Sequence, residues 1–110
     1  MRCRGAVVLA GTCDGAMLHP TVLTDVTDTM PLMAEEMFAP VVCLVPCSDF
    51  TDAIAAVNGT PFGLSAGIFT RDIDRAFAAA RQVTVGLFNI NNTSSNRADP
   101  MPYGGCSASG

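Results

Sequence analysis

Between residues 41 and 91, three short apolar runs alternate with two amphipathic segments, and this alternation is the tightest constraint on the fold. The first run, Val41–Pro46 (VVCLVP), is continuously apolar, the pattern of a strand covered on both faces. Ser48 follows as the expected helix cap. Phe50, Ala53, Ile54 and Val57 then fall at i, i+3, i+4 and i+7, with Asp49, Asp52 and Asn58 off that stripe. Acids at its start complement the helix dipole. Asn58-Gly59-Thr60-Pro61 ends the helix: Asn or Gly is the expected left-handed stop, and Pro forbids resumption. Leu64–Phe69 (LSAGIF) is a second buried-type strand. Asp72 caps a second helix, with Ile73, Ala76, Phe77 and Ala80 as its apolar stripe and Arg81 near its C-terminal end. Gly86–Asn91 (GLFNIN) is the third strand, and residues 92–104 are a polar loop. Short connections in a β-α-β-α-β order predict right-handed crossovers and a parallel sheet. Such sheets hold ligands beyond the carboxyl ends of their strands, and the loop after Asn91 begins at such an end.

The first forty residues carry weaker signals. Gly5–Gly11 (GAVVLAG) is a strand bounded by glycines. Cys13-Asp14-Gly15 reads as a turn. Leu18–Asp25 reads as a strand in which Pro20 marks an edge position or a strand start. Pro31–Glu36, with Thr29 or Asp28 as cap, reads as one or two helical turns.

Composition sets the outer bounds. The chain has 110 residues, 49% of them apolar and 15% charged, which excludes a disordered tail. All six basic residues are Arg; with ten acids the net charge is −4, against nucleic-acid binding or a polybasic membrane contact. No apolar run reaches the roughly 18–20 residues of a membrane span. Arg2 and Arg4 before Ala6–Ala10 make too short a core for a signal peptide, so the expectation is a cytoplasmic, unsecreted chain. Five cysteines, an odd number, read as reduced thiols. Cys43 and Cys47 on one extended strand face would lie about 13 Å apart, too far for a disulfide. One histidine, His19, and no paired cysteine spacing leave no expected metal site, and His19 is given no role. A domain of this size buries roughly 65% of the surface its unfolded chain exposes. The apolar excess therefore implies a rich core, or apolar surface covered by another chain or by further parts of the same one.

Three stretches together are more specific. Glu35-Glu36-Met37-Phe38-Ala39-Pro40-Val41 resembles the E-E-x-F-G-P-V motif of the aldehyde dehydrogenase superfamily, with Pro20-Thr21-Val22-Leu23 at the usual spacing before it. Asn58 to Asp72, through Pro61-Phe62-Gly63-Leu64-Ser65-Ala66-Gly67-Ile68-Phe69-Thr70, is similar to the family's N-x-x-Y/F-G-L-x-A-x-V-F-T-x-D segment. Pro102-Tyr103-Gly104-Gly105 with Ser109-Gly110 resembles its P-F-G-G-x-x-x-S-G loop. The tract Asn89–Pro102 is most similar to the branch acting on small polar or phosphorylated aldehydes. Two positions depart from the pattern: Ala39 stands where the family has Gly, and Cys106-Ser107 replaces an aromatic or aliphatic residue followed by Lys.

The resemblance implies an α/β fold: a partial aldehyde dehydrogenase catalytic domain, mostly parallel sheet with flanking helices, with residues 1–110 as one partial domain. It implies oxidation of an aldehyde to a carboxylic acid with NAD or NADP. In that family a thiolate attacks the aldehyde, hydride leaves to the nicotinamide, and a Glu-activated water hydrolyses the thioester. The nucleophile and base segments and the cofactor domain belong to parts of the family not matched here, and none of the five cysteines matches the nucleophile. No catalytic residue is therefore expected in this chain, and the 110 residues alone are expected to be inactive.

By the same resemblance Glu36 accepts hydrogen bonds from the nicotinamide ribose diol, and Phe38 lies beside the nicotinamide ring. Read without it, Glu35-Glu36 is a solvated helix end and Phe38 a core aromatic. Asn96, Arg97 and Met101 lie in the loop implied to line the substrate mouth. Arg97 is the loop's only cation, suited to a carboxylate or phosphate on the substrate, or alternatively a surface partner of Asp99. Tyr103 and Gly104-Gly105 shape the loop. The implied partners are a small aldehyde and further copies of the chain, a homo-oligomer. The alternative is a stand-alone, non-catalytic oligomeric module from a truncated or degenerate reading frame, whose apolar faces meet a partner. A thiol redox protein, the third reading, has only the cysteine number behind it.

Overall fold

The computed structural model describes residues 7–110, which form two compact units, one ending at Cys47 and one spanning Ser48–Gly110.

The first unit is built on a three-stranded sheet of order β1-β4-β5, formed by β1 (Val7–Ala10), β4 (Thr21–Thr24) and β5 (Val41–Cys43). β1 runs antiparallel to β4, and β5 runs parallel to it in the register Thr21↔Val41, Val22↔Val42, Leu23↔Cys43. The expected first strand is thus present from Val7; Gly5 and Ala6 lie outside the described residues. Asp14-Gly15 sits in a hairpin rather than a bare turn. β2 (Cys13–Asp14) pairs antiparallel with β3 (Met17–Leu18), and Gly15 takes φ +58°, which costs glycine little. The strand expected over Leu18–Asp25 divides at His19-Pro20. Pro20 stands just before β4, where its missing N–H breaks no ladder, and β4 itself is central, so the edge alternative falls and the strand-start alternative holds.

β4 holds most of this unit's core because it is flanked on both sides: Leu23 is 4% exposed and Thr21 is buried, and Val26, just beyond the strand, is buried too. Thr21 satisfies its hydroxyl by donating to the His19 carbonyl at 2.7 Å. The short helix α1 (Pro31–Ala34) has Pro at its first turn as expected, but its cap position is Met30, with no side-chain cap from Thr29 or Asp28. Thr29 is occupied by a hydroxyl–hydroxyl contact to Thr27 at 3.0 Å.

β5 is shorter than the apolar run that encodes it. Leu44 still donates to the Leu23 carbonyl at 2.8 Å, but Pro46 has no N–H with which to extend the ladder. Cys47 therefore lies beyond the strand and does not share a strand face with Cys43. Val42 is 53% and Leu44 50% exposed, so the covering expected on both faces is not supplied within the described residues.

The second unit contains α2 (Phe50–Asn58), β6 (Phe62–Gly63), β7 (Ser65–Ile68), α3 (Ile73–Gln82), β8 (Leu87–Ile90) and β9 (Cys106–Ser107). β7 and β8 pair in parallel, Ser65↔Leu87 to Ile68↔Ile90, with α3 as the crossover, as the second half of the β-α-β-α-β order predicts; the first run, β5, takes β4 as its parallel partner and does not pair with β7. β6 and β9 form an antiparallel ribbon. The cap of α2 is Asp49, not Ser48. The Asp49 carboxylate accepts from the Asp52 N–H at 2.9 Å, and the Asp52 carboxylate reaches back to the Ser48 N–H at 2.9 Å. This reciprocal arrangement satisfies more orphan donors than a serine alone. α2 ends without a left-handed residue: Gly59 is right-handed (φ −75°, ψ −2°). Asn58 instead spends its side chain, Nδ2 donating to the Gln82 carbonyl (2.8 Å) and Oδ1 accepting from the Thr84 N–H (3.0 Å).

α3 is capped as expected by Asp72, which accepts from the Arg75 N–H at 3.0 Å, and Arg81 lies in its last turn. Its buried face is narrower than the stripe in the sequence. Ala76 and Ala79 are each 1% exposed, whereas Ile73 and Phe77 stand 64% and 52% exposed. No helix among the described residues is long and apolar enough to cross a membrane.

Candidate functional site

Two features carry the residues singled out above, one in each unit. The first is the segment Glu35–Pro40, which leads from α1 into β5. It has no regular structure, yet its backbone is tied at both ends and within. Glu35 N–H donates to the Pro31 carbonyl (2.8 Å), Ala39 N–H to Met37 (2.9 Å) and Val41 N–H to Ala39 (2.7 Å). The Pro40 carbonyl accepts from Thr21 N–H at 2.8 Å, pinning the segment to β4. The two contacts spanning two residues are tight γ-type turns. Ala39 does not take a positive φ, so its extra methyl meets no backbone penalty in place of the family's glycine.

The side chains of this lip point a different way from those of a core. Glu36 is exposed, and Phe38 is 92% exposed, so Phe38 belongs to no core formed by the described residues. Among the described residues neither glutamate side chain takes part in an ion pair or hydrogen bond.

The second feature is the loop 92–104, which leaves the carboxyl end of β8 but folds back over the starts of β7 and β8, so the partly open cavity of ≈ 190 Å³ that it borders lies at the strands' amino ends and not beyond the carboxyl ends where a ligand was expected. Leu64, Leu87 and Pro102 give this cavity apolar walls, and Ser94, Ser95 and Arg97 give it polar ones. Arg97 Nη2 donates to the Met101 carbonyl (3.0 Å) and lies 3.5 Å from the Asp99 carbonyl. Its guanidinium sits 5.1 Å from the centroid of the Tyr103 ring. The expected alternative of an Arg97–Asp99 ion pair is replaced by this contact to the Asp99 backbone. Only one terminal nitrogen is engaged, and a guanidinium carries five N–H donors, so Arg97 retains donors toward the cavity it lines.

Asn96, Arg97 and Met101 are thus brought together by the loop, but in different roles. Arg97 lines the cavity. Met101 offers its carbonyl to Arg97, while its sulfur accepts from Ala98 N–H at 3.4 Å. Asn96 uses its backbone, donating to the Thr93 carbonyl (3.2 Å) and accepting from Asn89 (3.0 Å). Neither Asn96 nor Met101 lines the cavity.

The residues the pattern did not single out are Asn89 and Asn91. Asn89 Nδ2 lies within reach of three loop carbonyls, those of Thr93 (2.9 Å), Ser94 (3.4 Å) and Asn96 (3.0 Å). Asn91, at φ +54°, accepts from the Thr70 N–H at 2.8 Å. The available signal was the Asn89-Ile90-Asn91 spacing at a strand end, because short amide side chains readily bond nearby backbone.

Elsewhere, His19 offers only backbone contacts to Thr12 and Thr21. Cys13 and Cys47 are exposed thiols donating to nearby carbonyls. Among the described residues no group of His, Cys, Asp and Glu is arranged to hold a metal ion.

A sequence model of the aldehyde dehydrogenase family matches residues 2–110. The chain is 41% identical over 104 residues to a 3-sulfolactaldehyde dehydrogenase of Priestia aryabhattai, covering 94% of this chain and 22% of that protein. It is 40% identical to an NADP-dependent succinate-semialdehyde dehydrogenase of Deinococcus radiodurans, covering 97% of this chain and 23% of that one. Among solved structures it is similar to aldehyde dehydrogenase 21 of Physcomitrella patens in complex with succinate (TM-score 0.88, 40% identity, 94% of this chain and 22% of that one). It is also similar to an NADP-dependent glyceraldehyde-3-phosphate dehydrogenase of Bacillus halodurans complexed with NADP (TM-score 0.87, 37% identity, the same coverage). The chain spans about a fifth of the length of these relatives.

Proposed function

The chain belongs to the aldehyde dehydrogenase family, and from that premise we propose that it forms the part of an NAD(P)-dependent enzyme that holds the nicotinamide ribose and walls the aldehyde. The observation carrying this reading is the lip: a backbone pinned to β4 presents an exposed carboxylate, Glu36, and an almost fully exposed ring, Phe38, two residues apart. An uncommitted carboxylate suits a vicinal diol, since its two oxygens accept from two hydroxyls, and charge-assisted bonds of this kind are among the stronger ones. An exposed aromatic ring beside it suits the flat face of a nicotinamide. The donor set therefore fits the dinucleotide, which when bound supplies the hydride acceptor. Glu36 fixes the ribose and Phe38 restricts the ring, on a backbone tied to β4 through Pro40 and to α1 through Glu35.

The aldehyde is placed at the second feature. The cavity is mostly apolar, with one guanidinium (Arg97) and the hydroxyl-bearing residues Ser65, Ser94, Ser95 and Tyr103, which suits a short aldehyde carrying an anionic group. Sulfolactaldehyde and succinate semialdehyde, named for two of the relatives, have this chemistry. The covalent chemistry belongs to residues outside this chain, so the 110 residues alone turn over no aldehyde. The composition of the chain favours a cytoplasmic setting.

The test is aldehyde-dependent NAD(P)H formation by an enzyme carrying these residues. Glu36→Gln raises the KM for the dinucleotide about tenfold, the equivalent of one weakened charge-assisted bond, while Glu35→Gln leaves it unchanged. Equal effects of the two substitutions would overturn the assignment. Clear activity of the 110-residue chain, lost on replacing one of its cysteines, would overturn the division of labour.

A second reading has one observation behind it. Exposed Val8, Leu9, Val42, Leu44, Ile73 and Phe77 are apolar surface that a homo-oligomer or a non-catalytic assembly covers. Sedimentation separates the cases: a monomer at all concentrations removes self-assembly of this chain.

A further inference from the structure

We propose that Asn89 is a positioning residue for the wall of the cavity, holding the loop in a preformed shape and so fixing where Arg97 stands; the functional side of this proposal rests on the reading of that cavity as the aldehyde site.

Loops of this length without secondary structure are usually disordered unless something holds them. Here the amide of one half-buried residue on β8 does so. Nδ2 of Asn89 meets the carbonyls of Thr93, Ser94 and Asn96 at 2.9, 3.4 and 3.0 Å, which closes the chain into a turn immediately before Arg97. An amide nitrogen has two protons, so the 3.4 Å contact shares a donor with one of the shorter two.

The same turn is supported from below. A Cβ on Gly67 of β7 would come within 2.9 Å of the Asn92 carbonyl, so the loop start lies directly on the strand. At the far end, a Cβ on Gly86 would overlap the Gly104 carbonyl. The loop is thus seated on glycines at both ends, and Asn89 clasps its first half. Arg97 then closes the second half through the Met101 carbonyl and the Tyr103 ring. This makes the wall a fixed surface, not a lid awaiting substrate.

Donation, not shape, is the property required of Asn89, and that can be separated experimentally. Aspartate has the shape of asparagine without its donors; glutamine keeps the donors and changes the shape. Hydrogen exchange of the 110-residue chain, followed by mass spectrometry, reads the loop directly. Asn89→Asp is expected to speed exchange across 93–101 about tenfold, the equivalent of one to two lost hydrogen bonds, with α3 unchanged. Asn89→Gln recovers a substantial part of the protection.

The proposal is overturned if Asn89→Asp protects the loop as well as wild type does, or if glutamine is worse than aspartate, the order a packing role predicts. It is overturned too if both Asn89→Asp and Asn89→Ala unfold the chain, since Asn89 would then be a core residue. These measurements contain no aldehyde and no dinucleotide. Failure here leaves the Glu36 assignment standing, and failure of the Glu36 test leaves the clasp intact.

Discussion

The lip at Glu35–Pro40 and the loop at 92–104 both lack regular structure, and they solve the problem of holding shape in opposite ways. The lip is held by its main chain: four backbone bonds fix it, and Glu36 and Phe38 are left uncommitted. The loop has two backbone bonds, Asn96 to Thr93 and Met101 to Ala98, and otherwise depends on side chains. Asn89, Asn92, Arg97 and Met101 each bond a backbone group of the loop or its stem. A segment whose backbone is self-sufficient can offer every side chain to a ligand. A segment that spends its side chains on itself can offer a surface and whatever valence remains, as with the unused donors of Arg97.

The largest test of this contrast is at the base of the lip. Leu23 is 4% exposed at the centre of the β1-β4-β5 sheet, and Leu23→Ala is expected to cost about 3 kcal/mol through lost burial and a residual cavity. Urea unfolding measures it, and the Thr21–Pro40 tie should open with the sheet, seen as faster exchange at Thr21. A cost under about 1 kcal/mol would mean that the lip does not depend on that core. At the base of the loop, Gly86→Ala places a methyl against the Gly104 carbonyl, a backbone group that cannot swing aside. About 2 kcal/mol is expected, with accelerated exchange through 102–105. An unchanged midpoint would show that the two glycines are not in close contact.

A smaller effect separates helix packing from helix ends. Asp49→Ala and Asp72→Ala each remove one cap and should cost about 1 kcal/mol, measurable as a shift in the unfolding midpoint, whereas Ser48→Ala should cost much less. If Ser48→Ala were the costlier change, the capping assignment would be reversed. The smallest effect belongs to the lip's side chains. Glu36→Gln and Phe38→Ala should change stability by less than about 0.5 kcal/mol, because neither group is buried. A large loss of stability at either position would show a structural partner and sink the contrast.

What was legible in the sequence was local. Periodicity and breakers located α2, α3 and the β7-α3-β8 crossover, since these depend on residues a few positions apart. The family resemblance around Glu36 and Phe38 was legible for the same reason: it lies in consecutive residues. The Asp49–Asp52 box displaced Ser48 because the Asp49 carboxylate accepts from the Asp52 N–H and the Asp52 carboxylate from the Ser48 N–H, a choice between neighbours that composition does not rank.

What only the tertiary structure decided depended on residues far apart. Pro20 is compatible with an edge or a strand start, and only the partners on both sides of β4 settle which. The apolar stripe of α3 did not say that Ala76 and Ala79 would be buried while Ile73 and Phe77 stay exposed, because burial depends on what packs against the helix. Asn58 ends its helix by bonding Gln82 and Thr84, more than twenty residues away, where a local rule looks for a left-handed residue. Arg97 was marked as the loop's cation by sequence. Its stacking on Tyr103 and its seat beside the cavity follow from how Asn89 folds the intervening backbone. Short-range order is written in residue identity; the use each side chain is put to is decided by the groups the chain's return brings within 3 Å of it.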